Sequence, residues 1–231
     1  YTFAGVWQED DVNAPFVDAN GQTNGKTNGE VYKVKPGNSK YVDVNKDGVY
    51  NDADQGIIGC GQPTFNWGWN NTFNYKNFDF SFFVVGFHGF DIYNATHQMG
   101  YNLIKSQQMA GVTPMRELLN RWTPTNTNTD IPGFVKGGTE NKDFFSTRFV
   151  ENGSFIKMKS ITLGYTLPEA TCRSLGINNL RVYASVQNPF HITKYSGLDP
   201  EATMGSPLVQ GVDWGAYPNS RNYLIGLNFS F

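Results

Sequence analysis

Apolar and polar residues alternate along several stretches of the chain, and the alternation is clearest in residues 221–231, which read RNYLIGLNFSF. Successive side chains of a β-strand point to opposite faces of a sheet, so this stretch has one apolar face and one face that is mostly small or polar. The apolar face consists of Tyr223, Ile225, Leu227, Phe229 and Phe231. A membrane β-barrel uses such strands, because it turns one face to lipid and the other to its interior.

Other stretches repeat this pattern. Residues 65–75 (FNWGWNNTFNY) place five aromatic side chains on one face, and asparagine, glycine or threonine on the other. After two residues, Lys76 and Asn77, the pattern resumes at residue 78, which predicts a hairpin with a tight turn. We predict an all-β fold with about six antiparallel strands, at residues 1–8, 65–75, 78–93, 144–167 (clearest in 160–167), 180–188 and 220–231.

The connections between these strands alternate in length. Residues 9–63, 94–143 and 189–219 are long connections, whereas residues 76–77 and 168–179 are short. Transmembrane barrels show this asymmetry, with short periplasmic turns and long extracellular loops, so we expect the long connections outside and the C-terminus in the periplasm. About six strands cannot close a large barrel, and an open edge in lipid leaves backbone groups unpaired. We therefore expect further strands from more chain or from copies of this one.

Composition supports a strand-rich chain of this kind. Aromatic residues make up 15% of the 231 residues, yet the mean hydropathy is negative at -0.44, as expected when apolar and polar positions alternate. No run of about 18 apolar residues predicts a membrane-spanning helix. The net charge of -2 argues against a nucleic-acid partner, which requires a basic surface. The common catalytic motifs are absent from the sequence, so we do not expect an enzyme.

Residues 43–54 (DVNKDGVYNDAD) have the spacing of a calcium-binding loop, with oxygen donors at positions 1, 3, 5, 9 and 12 and a glycine at position 6. Position 12 is Asp rather than the Glu of an EF-hand, as in dockerin-type loops. The predicted ligands of a structural Ca²⁺ are Asp43, Asn45, Asp47, Val49 through its backbone carbonyl, Asn51 and Asp54. The alternative is an Asx-rich turn that holds no metal.

Candidate ligand-binding residues lie in the long connections. Trp122, Tyr195 and Trp214 could each stack on a sugar ring, although anchoring a loop is an equally good interpretation of these side chains. Asp199, in the sequence Asp-Pro-Glu, could contact a ligand or a partner, and its alternative role is a structural turn.

Several of these segments resemble conserved blocks in the C-terminal part of SusC/RagA-type TonB-dependent outer-membrane transporters. The matching segments are residues 40–59 (KYVDVNKDGVYNDADQGIIG), 74–94 (NYKNFDFSFFVVGFHGFDIYN), 151–168 (ENGSFIKMKSITLGYTLP), 188–201 (NPFHITKYSGLDPE) and the ending with Tyr217-Pro218, Arg221 and Phe231. The final strand also resembles a barrel-assembly signal, in which Gly226 is followed by Phe229 and Phe231. Leu224 departs from that signal, which usually has a polar residue there.

The resemblance implies a barrel of about 22 strands that encloses a plug. This chain would supply about the last six strands, and the remaining N-terminal part of the same protein would supply the others, the plug and the region that contacts TonB. The implied function is TonB-dependent import of a large nutrient, an oligosaccharide or a peptide, across the Gram-negative outer membrane. A SusD-like surface lipoprotein and outer-membrane lipid would be further partners. The alternative is a soluble extracellular carbohydrate-binding β-domain with a dockerin-like calcium loop.

Overall fold

The computed structural model describes residues 1–101, 114–133, 145–201 and 210–231. The other residues fall in the second and third long connections and at the start of the predicted strand 144–167, and those parts of the predictions lie outside the described residues. The chain divides into two compact units. The first comprises residues 1–59 and 93–150, and the second comprises residues 60–92 and 151–231.

The regular elements are mostly short strands, with a few helical turns. In chain order they are β1 (Phe3–Val6), α1 (Glu9–Asn13), β2 (Pro15–Val17), β3 (Thr23–Thr27), α2 (Asn28–Tyr32), β4 (Ser39–Tyr41), a 3₁₀ turn (Asp52–Asp54), β5 (Phe65–Tyr75), β6 (Phe78–His88), β7 (Asp91–Asn94), α3 (Ala95–Tyr101), 3₁₀ turns at Arg116–Asn120 and Thr147–Phe149, β8 (Val150–Asn152), β9 (Phe155–Thr166), α4 (Glu169–Ser174), β10 (Asn179–Thr193), β11 (Val212–Asp213) and β12 (Asn222–Ser230). Among the described residues, no helix has the length and apolar character needed to span a membrane.

The first unit contains two small antiparallel pairs, β1 with β4 and β2 with β3. A small core of Trp7, Val12 and Val34 lies within it. Helix α2 begins with a capping box, in which Thr27 and Glu30 each accept a hydrogen bond from the other's backbone amide. The sequence pattern predicted no regular structure for residues 9–63, and these short elements show that much of that connection is ordered by local hydrogen bonds.

The second unit is built on one antiparallel sheet with the order β12-β10-β9-β6-β5. The spatial order follows the chain order, so the sheet is an up-and-down meander, as in barrels. The turn between β5 and β6 is two residues long, and Lys76 adopts φ +53°. Asn77 fixes this turn to the end of β9, because its side chain donates to the carbonyl of Thr166 at 2.7 Å.

The all-β prediction is confirmed, but the sheet has five strands in the described part of the chain rather than six. The predicted strand at residues 1–8 does form as β1, yet it pairs with β4 and stays outside the sheet. Strand β10 is longer than predicted and continues to Thr193, past a bulge at Asn188, whose φ is +50°. The two outer strands, β5 and β12, each have one hydrogen-bonded neighbour among the described residues.

The core of the second unit lies at one end of the sheet, where the long connections begin and end. Val85 on β6 and Phe155 on β9 pack there with Phe90, Ile92 and Tyr195. We call this end the loop end, and the opposite end, which carries residues 76–77 and α4, the turn end. The apolar second half of the 78–93 segment is explained by this packing.

Candidate functional site

The strand register places most of the apolar strand residues on one face of the sheet, which we call the outer face. Its members are Phe65, Trp67, Trp69, Phe73, Tyr75, Phe78, Phe80, Phe82, Val84, Ile156, Met158, Ile161, Leu163, Tyr165, Leu180, Val182, Ala184, Val186, Phe190, Ile192, Tyr223, Ile225, Leu227 and Phe229. Many are solvent-exposed, including Tyr223 at 72% and Ile225 at 85%. A continuous apolar surface of this size is far larger than a soluble monomer exposes, which points to a lipid environment.

Aromatic side chains on the outer face gather at its two ends. Phe65, Trp67 and Trp69 lie at the loop end, and the turn end carries Phe73, Tyr75, Phe78, Phe80, Tyr165 and Phe229. Aliphatic side chains fill much of the space between them. Two aromatic girdles around an aliphatic band are typical of a membrane-spanning barrel wall. The indole nitrogen of Trp67 is satisfied locally, because it donates to Nε2 of His88 at 3.1 Å.

The opposite side, which we call the inner face, is mainly polar towards the turn end. Its polar or small members there, together with Tyr183, are Asn70, Thr72, Asn74, Asp79, Ser81, Thr162, Gly164, Thr166, Arg181, Ser185, Gly226, Asn228 and Ser230, and the apolar Phe83 and Leu224 lie in the same rows. The hydroxyls of Thr162 and Ser185 lie 2.8 Å apart across β9 and β10. A polar wall of this kind suits a wet interior or one packed with other protein.

One ion pair crosses the inner face and was not foreseen from the sequence. Nε of Arg181 on β10 donates to Asp79 on β6 at 2.8 Å, and a second guanidinium nitrogen donates to the other carboxylate oxygen. The pair passes over Gly164 on β9, where a Cβ atom would lie 2.3 Å from the Asp79 carboxylate. The guanidinium also lies 5.0 Å from the centre of the Tyr183 ring. The two charged residues are 102 positions apart, so only the sheet topology brings them together.

Two of the predicted assembly-signal residues, Gly226 and Phe229, lie on opposite faces of β12, and Phe231 directly follows the strand. Gly226 belongs to the inner face and pairs with Tyr183, whose ring occupies the space above the glycine. Phe229 is on the outer face, and its ring centre lies 5.4 Å from that of Phe231. Their role in barrel assembly stays a prediction.

A second charge cluster fixes the last long connection to the inner face at the loop end. Lys157 on β9 is only 2% exposed, and its Nζ donates to Asp199 at 2.9 Å and to Glu201 at 2.7 Å. Lys159 also forms an ion pair with Glu201. The amide and side-chain nitrogens of Asn219 both donate to Asp199 at 3.1 Å, so the cluster joins the start and end of the connection.

This cluster changes the interpretation of Asp199. Although burial alone would raise the pKa of each carboxyl, the hydrogen bonds from Lys157 and the other donors lower the pKa of both Asp199 and Glu201. Asp199 is 3% exposed, so an external ligand would have to displace existing partners to reach it. The geometry therefore favours the structural role over ligand contact.

The three aromatic candidates have different surroundings. Tyr195 is buried, and its hydroxyl donates to Asp213 at 2.6 Å, while burial and this carboxylate raise its pKa well above the ordinary value. Trp122, in the first unit, donates from Nε1 to Gln8 at 2.9 Å. Trp214 is 47% exposed. Tyr195 and Trp122 thus have evident loop-anchoring contacts, and Trp214 presents the most accessible ring of the three.

The loop of residues 43–54 forms a compact turn held by its own side chains. Asp43 accepts hydrogen bonds from the amides of Lys46 at 2.6 Å and Gly48 at 2.8 Å. Similar bonds to backbone amides are accepted by Asn45, Asp47, Asn51 and Asp54. The amide of Val49, followed by the side chain of Asn45, lowers the pKa of Asp47. Within the described ranges, no group of three or more His, Cys, Asp or Glu side chains has a metal-binding arrangement, and calcium binding stays a prediction.

Comparisons with known proteins identify relatives of this chain. No protein-family model matches it. It is 36% identical over 202 residues to TonB-dependent receptor P3 of Formosa agariphila, covering 85% of this chain and 19% of the relative. It is 32% identical over 199 residues to TonB-dependent receptor SusC of Bacteroides thetaiotaomicron, covering 85% and 18% respectively. The chain thus spans about a fifth of the length of these curated relatives.

Solved structures share the fold. The chain aligns over its whole length with the RagAB peptide transporter, with a TM-score of 0.70 and 23% identity, and covers 22% of that chain. It aligns equally fully with the closed-closed state of the RagAB peptide importer, with a TM-score of 0.67 and 24% identity.

A sheet with an apolar, girdled outer face, a polar inner face and long connections at one end defines a segment of a transmembrane β-barrel. The chain belongs to the SusC/RagA family of TonB-dependent receptors and corresponds to a C-terminal portion of such a receptor.

Proposed function

We propose that this chain forms part of the barrel wall of an outer-membrane transporter that imports a large nutrient, an oligosaccharide or a peptide, in a TonB-dependent manner. The two-faced sheet carries this proposal, because its outer face suits lipid and its inner face suits a polar lumen. The names of the relatives, which are receptors and transporters, support the same function.

The proposed orientation follows from the connections. Residues 76–77 and 167–178 join strands at the turn end, and the longer segments join them at the loop end. We place the loop end outside the cell and the turn end, with the C-terminus, in the periplasm, because barrels of this class have short periplasmic turns and long extracellular loops.

The proposed partners follow from the unpaired edges of the sheet. Strands β5 and β12 have unpaired edges in the described part of the chain, and unpaired backbone groups in lipid cost several kcal/mol each. We therefore propose that the remaining N-terminal part of the receptor pairs with both edges and supplies the plug that contacts TonB. A SusD-like lipoprotein would cover the loop end.

The alternative function raised by the sequence, a soluble carbohydrate-binding domain, is less well supported. The outer face is difficult to reconcile with a soluble carbohydrate-binding domain, and the relatives give that interpretation no support. The relatives are named as receptors and transporters rather than enzymes, so we propose no catalytic role.

Uptake measurements test the proposal. A strain that lacks the gene for the receptor is supplied with the full-length gene, and uptake of labelled oligosaccharides and peptides is measured with and without TonB. We expect uptake of one of the two classes that is lost in the absence of TonB or of the proton-motive force. Uptake that continues without TonB, or a receptor that is found outside the outer membrane, would contradict the proposal.

A further inference from the structure

A cleft of about 360 Å³ opens at the loop end of the sheet, beside β10. It exists because β12 stops pairing at Gln187, whereas β10 continues past its bulge to Thr193 with β9 as its neighbour. Residues on either side of the last long connection close the remaining sides. The lining includes Phe190, His191, Leu198, Pro218, Arg221 and Tyr223.

The charges in the cleft are not balanced. The carboxylate of Asp199 is occupied by Lys157 and Asn219, so it does not neutralise another cation. The side chain of Arg221 forms no hydrogen bond or ion pair with any residue that the structure describes. His191 also lines the cleft, but it pairs with Lys157 in the register of β9 and β10 and so belongs to the inner face. The cleft therefore offers the guanidinium of Arg221 to an anionic group, and a guanidinium matches phosphate oxygens particularly well.

The cleft is also continuous with the apolar outer face. Phe190 and Tyr223 belong to that face and line the cleft. Phe190 is 49% exposed, so its ring is available to an acyl chain. The rings of Phe190 and Tyr223 thus lie beside the unpaired guanidinium of Arg221. In the proposed orientation this is the level of the outer-leaflet head groups. An anionic amphiphile fits this combination better than a free anion does, because a free anion would not use the aromatic rings.

We infer that this cleft binds the phosphorylated head group of an outer-leaflet lipid, with Arg221 contacting the phosphate and Phe190 and Tyr223 contacting the first part of the acyl chains. The inference rests on the proposed function, because it requires the outer face to lie in the outer membrane.

Binding of diphosphoryl lipid A to the purified full-length receptor in detergent tests the inference. Native mass spectrometry gives the number of lipids retained and their apparent affinity. A charge-assisted hydrogen bond contributes about 1.5–3 kcal/mol, so we expect Arg221→Gln to weaken binding about tenfold or more. Arg221→Lys should recover part of the lost affinity. Dephosphorylated lipid A, which keeps the acyl chains, should bind the wild-type receptor about as weakly as diphosphoryl lipid A binds the glutamine variant.

The matched control is Lys194→Gln, which removes an exposed cation just beyond β10 that does not line the cleft. We expect it to bind diphosphoryl lipid A like the wild type. Equal binding by the Arg221→Gln and Lys194→Gln receptors would overturn the inference, as would displacement of the lipid by inorganic phosphate at equal concentration. Heat-modifiable gel migration confirms that each variant is folded. A receptor that assembles and transports but fails this test refutes the lipid site alone, whereas failure to reach the outer membrane refutes the proposed function.

Discussion

The ring of Tyr183 lies directly over Gly226 on the neighbouring strand, and a Cβ atom built on the glycine would come within 2.3 Å of a ring carbon. The aromatic ring replaces the side chain that the glycine lacks. Since the same ring also stacks on the guanidinium of Arg181, one glycine supports a contact that extends across the inner face.

Replacing Gly226 with Ala should therefore destabilise the barrel, because overpacking a close contact typically costs about 1–3 kcal/mol. The measurement is the urea midpoint of the folded full-length receptor. The double variant Gly226→Ala, Tyr183→Ala removes the ring that the new methyl group meets. Its loss of stability should therefore be clearly smaller than the sum of the losses in the two single variants. Additive losses would show that the contact is unimportant.

A charge on the outer face should impair membrane assembly. Ile225→Lys places an ammonium among lipid chains, where a lysine costs about 2–4 kcal/mol near the bilayer midplane. We expect less receptor in isolated outer membranes. Asn228→Lys on the same strand is the matched control, because Asn228 belongs to the inner face, and it should assemble at normal levels. Equal levels of the two variants would contradict the assignment of the faces.

The terminal aromatic should act in assembly rather than in recognition. Phe231 is highly exposed, and Phe229 is its aromatic neighbour. We predict that Phe231→Ser lowers the amount of receptor in the outer membrane, while uptake per assembled receptor keeps the same substrate preference. Quantitative immunoblots of membrane fractions, combined with uptake assays, measure both. Normal levels with altered substrate choice would disprove this role.

The charge cluster at Lys157 should make the last long connection sensitive to acid. Because the pKa values of Asp199 and Glu201 are lowered in the folded chain, their ionised forms stabilise this connection at pH above about 4, and the contribution disappears as the pH falls through the lowered values. Hydrogen exchange of residues 194–201 should be slow at pH 7 and, after correction for the intrinsic rate, faster at low pH. In the double variant Asp199→Asn, Glu201→Gln most of this pH dependence should be lost. An unchanged profile in that variant would show that other groups titrate.

The loop of residues 43–54 provides a test for calcium. We expect the full-length receptor to bind Ca²⁺ in isothermal titration and to lose this binding in the double variant Asp43→Ala, Asp47→Ala. Asp18→Ala is a suitable control, because Asp18 accepts two backbone amides in a turn outside the calcium pattern. If the wild type binds no Ca²⁺, the loop is an Asx-rich turn that holds no metal.

The sequence was most informative where structure depends on neighbouring residues. Alternation predicted the strands of the sheet and separated its two faces, because the side-chain period of a strand is visible within ten residues. The hairpin at Lys76-Asn77 was predicted for the same reason. Strand β1 was misassigned to the sheet, since a short alternating segment does not specify its partner, and β4 lies more than thirty residues away.

Contacts between distant residues could not be predicted from local pattern. The sequence around Lys157 did not indicate that this side chain is buried, because its partners Asp199 and Glu201 lie more than forty residues further on. Asp79 looked like an ordinary polar residue of an alternating strand until the strand order placed Arg181 within reach. For Asp199 the sequence left ligand contact and a structural turn open, and its contacts with Lys157 and Asn219 favour the structural role.

The pair of Asp79 and Arg181 also has a mechanical consequence. Its two residues sit on β6 and β10, which share no backbone hydrogen bond, and the side chains bridge the intervening strand above Gly164. A force that pulls on one of these three strands is therefore distributed over all of them, because sliding β9 alone would have to distort a bidentate bridge anchored on both sides. The inner face of the sheet is braced there against shear by a single arginine.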